Sequence, residues 1–459
     1  MGDIVAEYKG ALITNDADVK RYNIPIQPSI TLDTVSPLDP ENEREEFTMD
    51  VVNMLTSFPQ HAVQQLTGVK DMVADRLGDS PWLKTIFWGI DKVGEAISKV
   101  ITSTEELTAK HSEAKLLAWH PHRNMLAIAY QDNTVHVYER TDENSEWTCH
   151  LLQHRFMKKI TCLEWKKRAR GTLAVGCRNG VCVWSLASGS VTNADLTNKL
   201  EPYNRHTSSM NYLCHTGYGP ISSLAWDPSP ASHLLAVTSA TKGTLVIYDT
   251  MTLSTTPLKR QGKGNTLLRW SPDGAWLFVA SDKHVKSRMW DTRYWTHRDL
   301  TNPPGLGVQS ACWAPDSRNL FISMHGKSDI HLIYWANTTS AAELKQEKVY
   351  SVKAPVQGPA AHMNHNHIRE IALSPSDGKR LAVIFEKSDC VALYTVQLET
   401  MPTLARKDVL QHIGIANTRT SLNDSGKPIH IAYSAHSSSS TTLAVLHKTG
   451  VVDFITQVA

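Results

Sequence analysis

Three histidines, His362, His365 and His367, crowd into the stretch Ala360-Ala-His-Met-Asn-His-Asn-His-Ile368. Neutral imidazoles so placed are able to bind zinc or copper. A durable metal site also needs fixed ligand geometry and supporting hydrogen bonds. This stretch has no cysteine, and Glu370 is its one nearby carboxylate, so a solvated loop is the expected state. Lys166-Lys-Arg-Ala-Arg170 is the one strong basic cluster, the composition of a nuclear import signal or a phosphate contact. Against that, 47 Lys and Arg balance 45 Asp and Glu, a formal charge of +2 over the chain. So small a charge draws neither nucleic acid nor anionic lipid from a distance. The cluster therefore reads as solvated charge in a turn, and no direct nucleic-acid partner is expected.

The seven cysteines, at 149, 162, 177, 182, 214, 312 and 390, include no Cys-x-x-Cys pair. That argues against a zinc ribbon or redox motif and for reduced, buried thiols of an intracellular protein. Gly-x-Ser-x-Gly, Gly-x-x-x-x-Gly-Lys and His-Glu-x-x-His are missing, so neither catalysis nor a cofactor is expected. The start, Met1-Gly2-Asp3-Ile4, lacks a basic segment followed by an apolar run, and Ala6 stands where a myristoylation motif wants Ser or Thr. The longest apolar stretch near the front, Trp82 to Ile90, is interrupted by Lys84 and is far short of the roughly 20 residues that span a bilayer. A soluble chain is expected.

The elements that must position these groups change character near residue 110. Residues 1–21 read as an extended segment and 22–42 as a proline-containing linker. Residues 43–110 have helical spacing: Val51, Met54, Leu55 and Phe58 form one apolar face, and Val63, Leu66, Val69, Val73 and Leu77 another. Ser80-Pro81 can start a third helix, with Ser80 as N-cap and Pro81 at the first helical position. Trp82, Phe87 and Trp88 lie on that helix, either packed inside the protein or exposed as a docking patch for a membrane-embedded partner.

Residues 111–459 have β texture, and a unit recurs through them. A short apolar strand ends in Trp, often followed by Pro; a second apolar strand, a polar turn and a third strand ending in an aromatic follow. The anchors are Trp119, Trp165, Trp226, Trp270 and Trp313, with Leu373 and Tyr433 at the equivalent place in two weaker copies. Spacings of 43, 44 and 46 residues match a WD40 unit of roughly 40–45, and spacings near 60 imply inserted loops. Seven units predict an all-β, seven-bladed WD40 β-propeller behind an N-terminal α-helical region. A blade cannot cover its own two faces, whereas radial stacking buries each face on the next and closure removes the bare ends. Anchor tryptophans then sit between blades, each burying about 150–250 Å².

Counting strands adds a constraint. The seventh unit reaches its third strand at Val451 to Ile455, and little chain follows it. Its fourth strand is expected from the front of the chain, from Ile4–Ile13 or from residues around Leu107, with the first favoured. In the turns between second and third strands, Asp132, Asn179, Asp282 and Asp329 recur and are expected to hold local hydrogen bonds. His154 and His215, each 11 residues before an anchor, suggest a related network.

Leu117-Ala-Trp-His-Pro-His122, Trp270-Ser-Pro-Asp-Gly274 and the run Trp290 to Tyr294-Trp295-Thr296 resemble the aladin family of WD-repeat nucleoporins. The resemblance is clearest over residues 111–335. It implies a non-enzymatic scaffold or adaptor subunit of the nuclear pore complex. Such a subunit is held at the nuclear envelope through a transmembrane nucleoporin, so its membrane association is indirect, and it is linked to transport and to mitotic spindle assembly. A WD40 adaptor or substrate receptor in cytoplasmic signalling or ubiquitination is the other class that the repeat alone would allow.

Overall fold

The computed structural model describes residues 6–8, 11–13, 113–140, 147–186, 208–215, 218–259, 262, 264–337, 342–352, 367–398, 409–417, 427–434 and 440–458. All belong to one compact unit, residues 1–32 with 113–459. The second unit, 33–112, lies outside the described residues, and with it the helical region expected over 43–110, including Trp82, Phe87 and Trp88. Every regular element among the described residues is a β-strand.

Blade 1 shows why these sequences fold as they do. Ala114–Trp119, Met125–Tyr130, Val135–Glu139 and Thr148–Leu152 pair antiparallel in that order. Met125–Tyr130 is buried at all six positions, being flanked by strands on both edges and by blades on both faces. It is therefore an unbroken apolar run rather than an alternating one. The outer strand, Thr148–Leu152, buries only Leu152 fully.

Five more four-stranded sheets repeat this plan. Their inner strands are Cys162–Trp165, Ile221–Trp226, Leu267–Trp270, Val308–Trp313 and Ile368–Leu373. Successive inner strands lie side by side, and the last of the seven, Pro428–Tyr433, meets Ala114–Trp119, so the ring of seven blades is closed. The core is distributed, with a separate apolar cluster between each pair of neighbouring blades from 1 through 7.

Blade 7 is built differently. Pro428–Tyr433, Ser440–His447 and Val452–Val458 are followed in the sheet by Ala6–Tyr8 and then Ala11–Ile13. Both added strands come from the Ile4–Ile13 segment. Ala6–Tyr8 runs parallel to its neighbour, with Ala6 opposite Thr456 and Tyr8 opposite Val458. A hairpin turn would force the antiparallel arrangement of the other outer strands; no hairpin joins these two, so either direction is open to them. Ala11–Ile13 folds back antiparallel on Ala6–Tyr8. At the seam between blades 7 and 1, Phe454 meets the edge of Trp119 at 5.5 Å and stacks on Trp147 at 5.7 Å.

Two devices repeat between blades. The anchor indole donates to the carbonyl just before the previous anchor: Trp165 Nε1 to Ala118 O (3.0 Å), Trp226 to Glu164 O (3.2 Å) and Trp313 to Arg269 O (3.2 Å). Trp270 instead donates to Gly274 O in its own blade (2.9 Å), and the indole nitrogen of Trp119 is buried without a hydrogen bond. The second device starts from a β-bulge in the inner strands of blades 1, 3, 5, 6 and 7. A bulge re-aims the side chain beside it. Ser223, Ser310 and Glu370 thereby accept the backbone N–H of Leu268, Ile371 and Ile431 in the following blade.

Candidate interaction surface

A closed propeller offers partners its two ends and its rim. Turns between first and second strands and between third and fourth strands gather at one end. Aspartates shape many of them: Asp227, Asp249, Asp273, Asp291, Asp316 and Asp377 each accept the backbone N–H two residues on. Two such turns in adjacent blades are built alike. After Asp249 and Asp291, Thr250 and Thr292 donate hydroxyls to His233 O and Gly274 O, and Leu253 and Trp295 adopt left-handed backbone with φ of 58° and 54°. Non-glycine residues seldom hold that conformation. These stiff turns project Met251 (72% exposed), Leu253 (64%) and Tyr294 (71%) into solvent.

The basic cluster lies at this end and is only partly solvated. Lys166 Nζ rests 5.2 Å over the Trp226 ring and 3.2 Å from His233 Nδ1. Burial lowers the Lys167 ammonium from its ordinary pKa. Arg168 and Arg170 are exposed. The cluster is thus a folded turn, two of whose cations pack back on the blades.

In the inner strands, burial holds the Glu164 carboxyl above its ordinary range, and the Arg269 guanidinium offsets this only in part. The Cys162 and Cys312 thiols, on half-buried residues, are pushed up to about 12 by loss of solvation. At neutral pH they are protonated and poorly nucleophilic. On the rim of blade 4, Arg288 grips Asp299 through two hydrogen bonds, at 2.6 and 2.9 Å, with the Arg288 side chain 6% exposed. That grip holds the Asp299 carboxyl below its usual range. A carboxylate depressed in the folded state adds stability above its unfolded pKa of about 4, and the addition is lost as pH falls through the folded value. Asp299→Asn is therefore expected to flatten the fall in melting temperature below about pH 4. Calorimetry across that range checks it, and an unchanged acid limb would contradict the assignment.

The expected turn aspartates and histidines stand in or beside the turns and linkers that the sequence indicated, but their partners differ. Asp132 does hold its turn, accepting from the Thr134 backbone and hydroxyl. Asp329 opens a third strand and instead takes Ser351 and Lys348 of the outer strand, while Asp282 Oδ1 is buried without a hydrogen bond. His154 accepts locally from Phe156 N, and His215 packs on Tyr218. Of the histidine group, His367 is half-buried, while His362 and His365 lie outside the described residues. No metal-sized group of His, Cys, Asp and Glu occurs among the described residues. Met251 and Leu253 escaped the sequence reading, and Tyr294 was singled out there only for the family resemblance and not as an exposed tip, although the shared Asp-Thr offset of the two turns was a usable signal.

Six four-stranded blades, a tryptophan at each of five interfaces and a five-stranded closing blade shared by both ends of the chain define a WD-repeat β-propeller. A sequence profile described as the Aladin seven-bladed propeller matches residues 95–458. The chain belongs to that family. Aladin of Arabidopsis thaliana is 24% identical over 311 residues, 65% of this chain and 66% of that protein, so the match spans just under two thirds of the relative. Protein transport protein SEC31 of Chaetomium globosum is 24% identical over 297 residues, 61% of this chain and 22% of that protein. In fold, the chain is similar to the β-propeller domain of Myceliophteria thermophila Cps50 (Swd1), with a TM-score of 0.54 at 13% identity, over 75% of this chain and 96% of that one.

Proposed function

We propose that this chain is a non-enzymatic scaffold or adaptor subunit of the nuclear pore complex. It is held at the nuclear envelope through a transmembrane nucleoporin and serves nucleocytoplasmic transport and mitotic spindle assembly. Membership of the Aladin propeller family across residues 95–458 carries the reading. Rigid turns at the ring's ends, with apolar tips such as Met251 and Tyr294, suit protein contacts. Trp82, Phe87 and Trp88 are the proposed docking patch toward the membrane partner.

Localisation of the tagged full chain tests this. A nuclear rim is expected, and diffuse cytoplasmic signal would overturn it in favour of a cytoplasmic WD40 adaptor or substrate receptor. Trp88→Asp is expected to abolish the rim while leaving the melting temperature unchanged; a collapsed fold would assign that tryptophan to internal packing. A deletion meant to probe the front region must keep the first 14 residues, because Ala6–Tyr8 and Ala11–Ile13 are strands of blade 7.

A further inference from the structure

We propose that the opposite end of the ring, formed by the turns between second and third strands, is a docking surface for an extended acidic peptide segment of a protein partner. Six of the seven turns there carry an exposed cation: Arg178, Lys242, Lys283, Lys327, Lys387 and Lys448, one per blade from blade 2 to blade 7. Blade 1 has none in its turn, Gln131-Asp-Asn-Thr134, but Lys159 in the linker to blade 2 donates its backbone N–H to Asn133 Oδ1, and exposed Lys158 adjoins it. Counting the described turns and linkers at this end, ten Lys and Arg face five Asp and Glu. One of those acids, Glu113, already pairs with Lys448 at 3.2 Å.

The scaffold under these cations is stiff. In every blade, a residue of the turn donates its backbone N–H to the segment leading into the same blade. Examples are Gln131 to Glu113 O, Arg178 to Lys158 O, His325 to Gly307 O and Lys448 to Lys427 O. Linkers also bond the turn of the preceding blade, as Asn265 N does to Ser239 O and Val308 N to Ser281 O. The charges are thus mounted on a prearranged circle, and little backbone ordering opposes binding.

The chemistry of the surface selects among polyanions. Single-stranded nucleic acid wants aromatic platforms for its bases, and the six cationic turns hold no Phe, Tyr or Trp. The exposed ring of Phe156, in the linker to blade 2, is already stacked on Tyr212 at 4.4 Å. An anionic membrane wants apolar side chains to insert, and these turn tips are Asn-Gly, Lys-Gly, Lys-His, Lys-Ser and the like. Separated lysines on a fixed circle suit carboxylates strung along an extended chain. Each exposed pair contributes little alone, so the binding is collective and sensitive to salt.

Fluorescence anisotropy of the full chain with labelled poly-glutamate tests the proposal, beside poly-glutamine, oligo-uridine RNA and phosphatidylserine vesicles. Poly-glutamate is expected to bind and poly-glutamine not. The variant Lys242→Glu, Lys283→Glu, Lys327→Glu is expected to weaken binding about tenfold or more with an unchanged melt. Lys379→Glu, at the other end, is the control expected to bind as the parent does. Equal binding of poly-glutamine, or triple charge reversal without effect, overturns the proposal. Tighter binding of RNA or vesicles than of poly-glutamate overturns the choice of ligand. Neither readout depends on where the chain resides in a cell, so this surface and the nuclear-pore reading fail separately.

Discussion

Removal of residues 1–14 lowers the melting temperature of the whole propeller, by on the order of 10 °C. Two strands leave blade 7 at once, and Val452–Val458 becomes a bare edge with unpaired backbone groups. The loss is not local. Ala11–Ile13 also lies against Leu410–Asn417, the outer strand of blade 6, so the deletion loosens a second blade. Strain would then pass to the seam where Phe454 meets Trp119 and Trp147. Differential scanning fluorimetry with gel filtration measures both parts, lower stability and edge-to-edge association. A deleted chain that melts with the parent and stays monomeric would show that the closing strands hold nothing.

Trp226→Ala costs about 3–5 kcal/mol, as large-to-small changes in well-packed cores do. Trp226 is buried against blade 2, bonds Glu164 O, and carries Lys166 over its outer face. Truncation opens a cavity between two sheets, orphans a carbonyl and strips a lysine of its platform. Trp226→Phe separates these losses: it keeps most of the apolar volume and is expected to lose about 1 kcal/mol with the hydrogen bond. Urea denaturation orders the three proteins, and an Ala variant with the parental midpoint would remove Trp226 from the interface. Trp270→Ala is expected to cost a similar amount, through lost packing and the loss of its hydrogen bond to Gly274 O, with no hydrogen bond between blades at stake.

Much of the ring was legible because the second and third strands of its blades are buried on both faces. Leu234-Leu-Ala-Val237 and Leu381-Ala-Val-Ile384 are continuous apolar runs, and a tryptophan or its substitute recurs before each. Outer strands left no such trace: Thr296–Thr301 exposes every residue except Leu300, and a strand that is mostly wet reads as loop. The parallel direction of Ala6–Tyr8 was likewise invisible, since no turn between it and its partner encodes a direction. The candidate surfaces were harder still. Contiguous clusters such as Lys166–Arg170 and His362–His367 catch the eye, yet two lysines of the first are packed inward. The circle of cations is assembled from single residues some 40 to 60 positions apart, and only closure makes neighbours of them. The aspartates were legible in place but not in partner: Asp132 holds its own turn as expected, whereas Asp329 takes Ser351 and Lys348 of the outer strand and Asp282 Oδ1 takes no hydrogen bond, because a residue type in a turn does not say which neighbour lies within reach.

Thr456 leaves a ribosome some 450 residues after Ala6, yet the two pair in one sheet. During translation the early strands must wait without their partner while blade after blade is made, and contacts so distant in sequence form slowly. A chain cut short before Thr456 therefore unlatches the ring from the other side, leaving Ala6–Tyr8 without its partner strand and an exposed β-edge for quality control to meet.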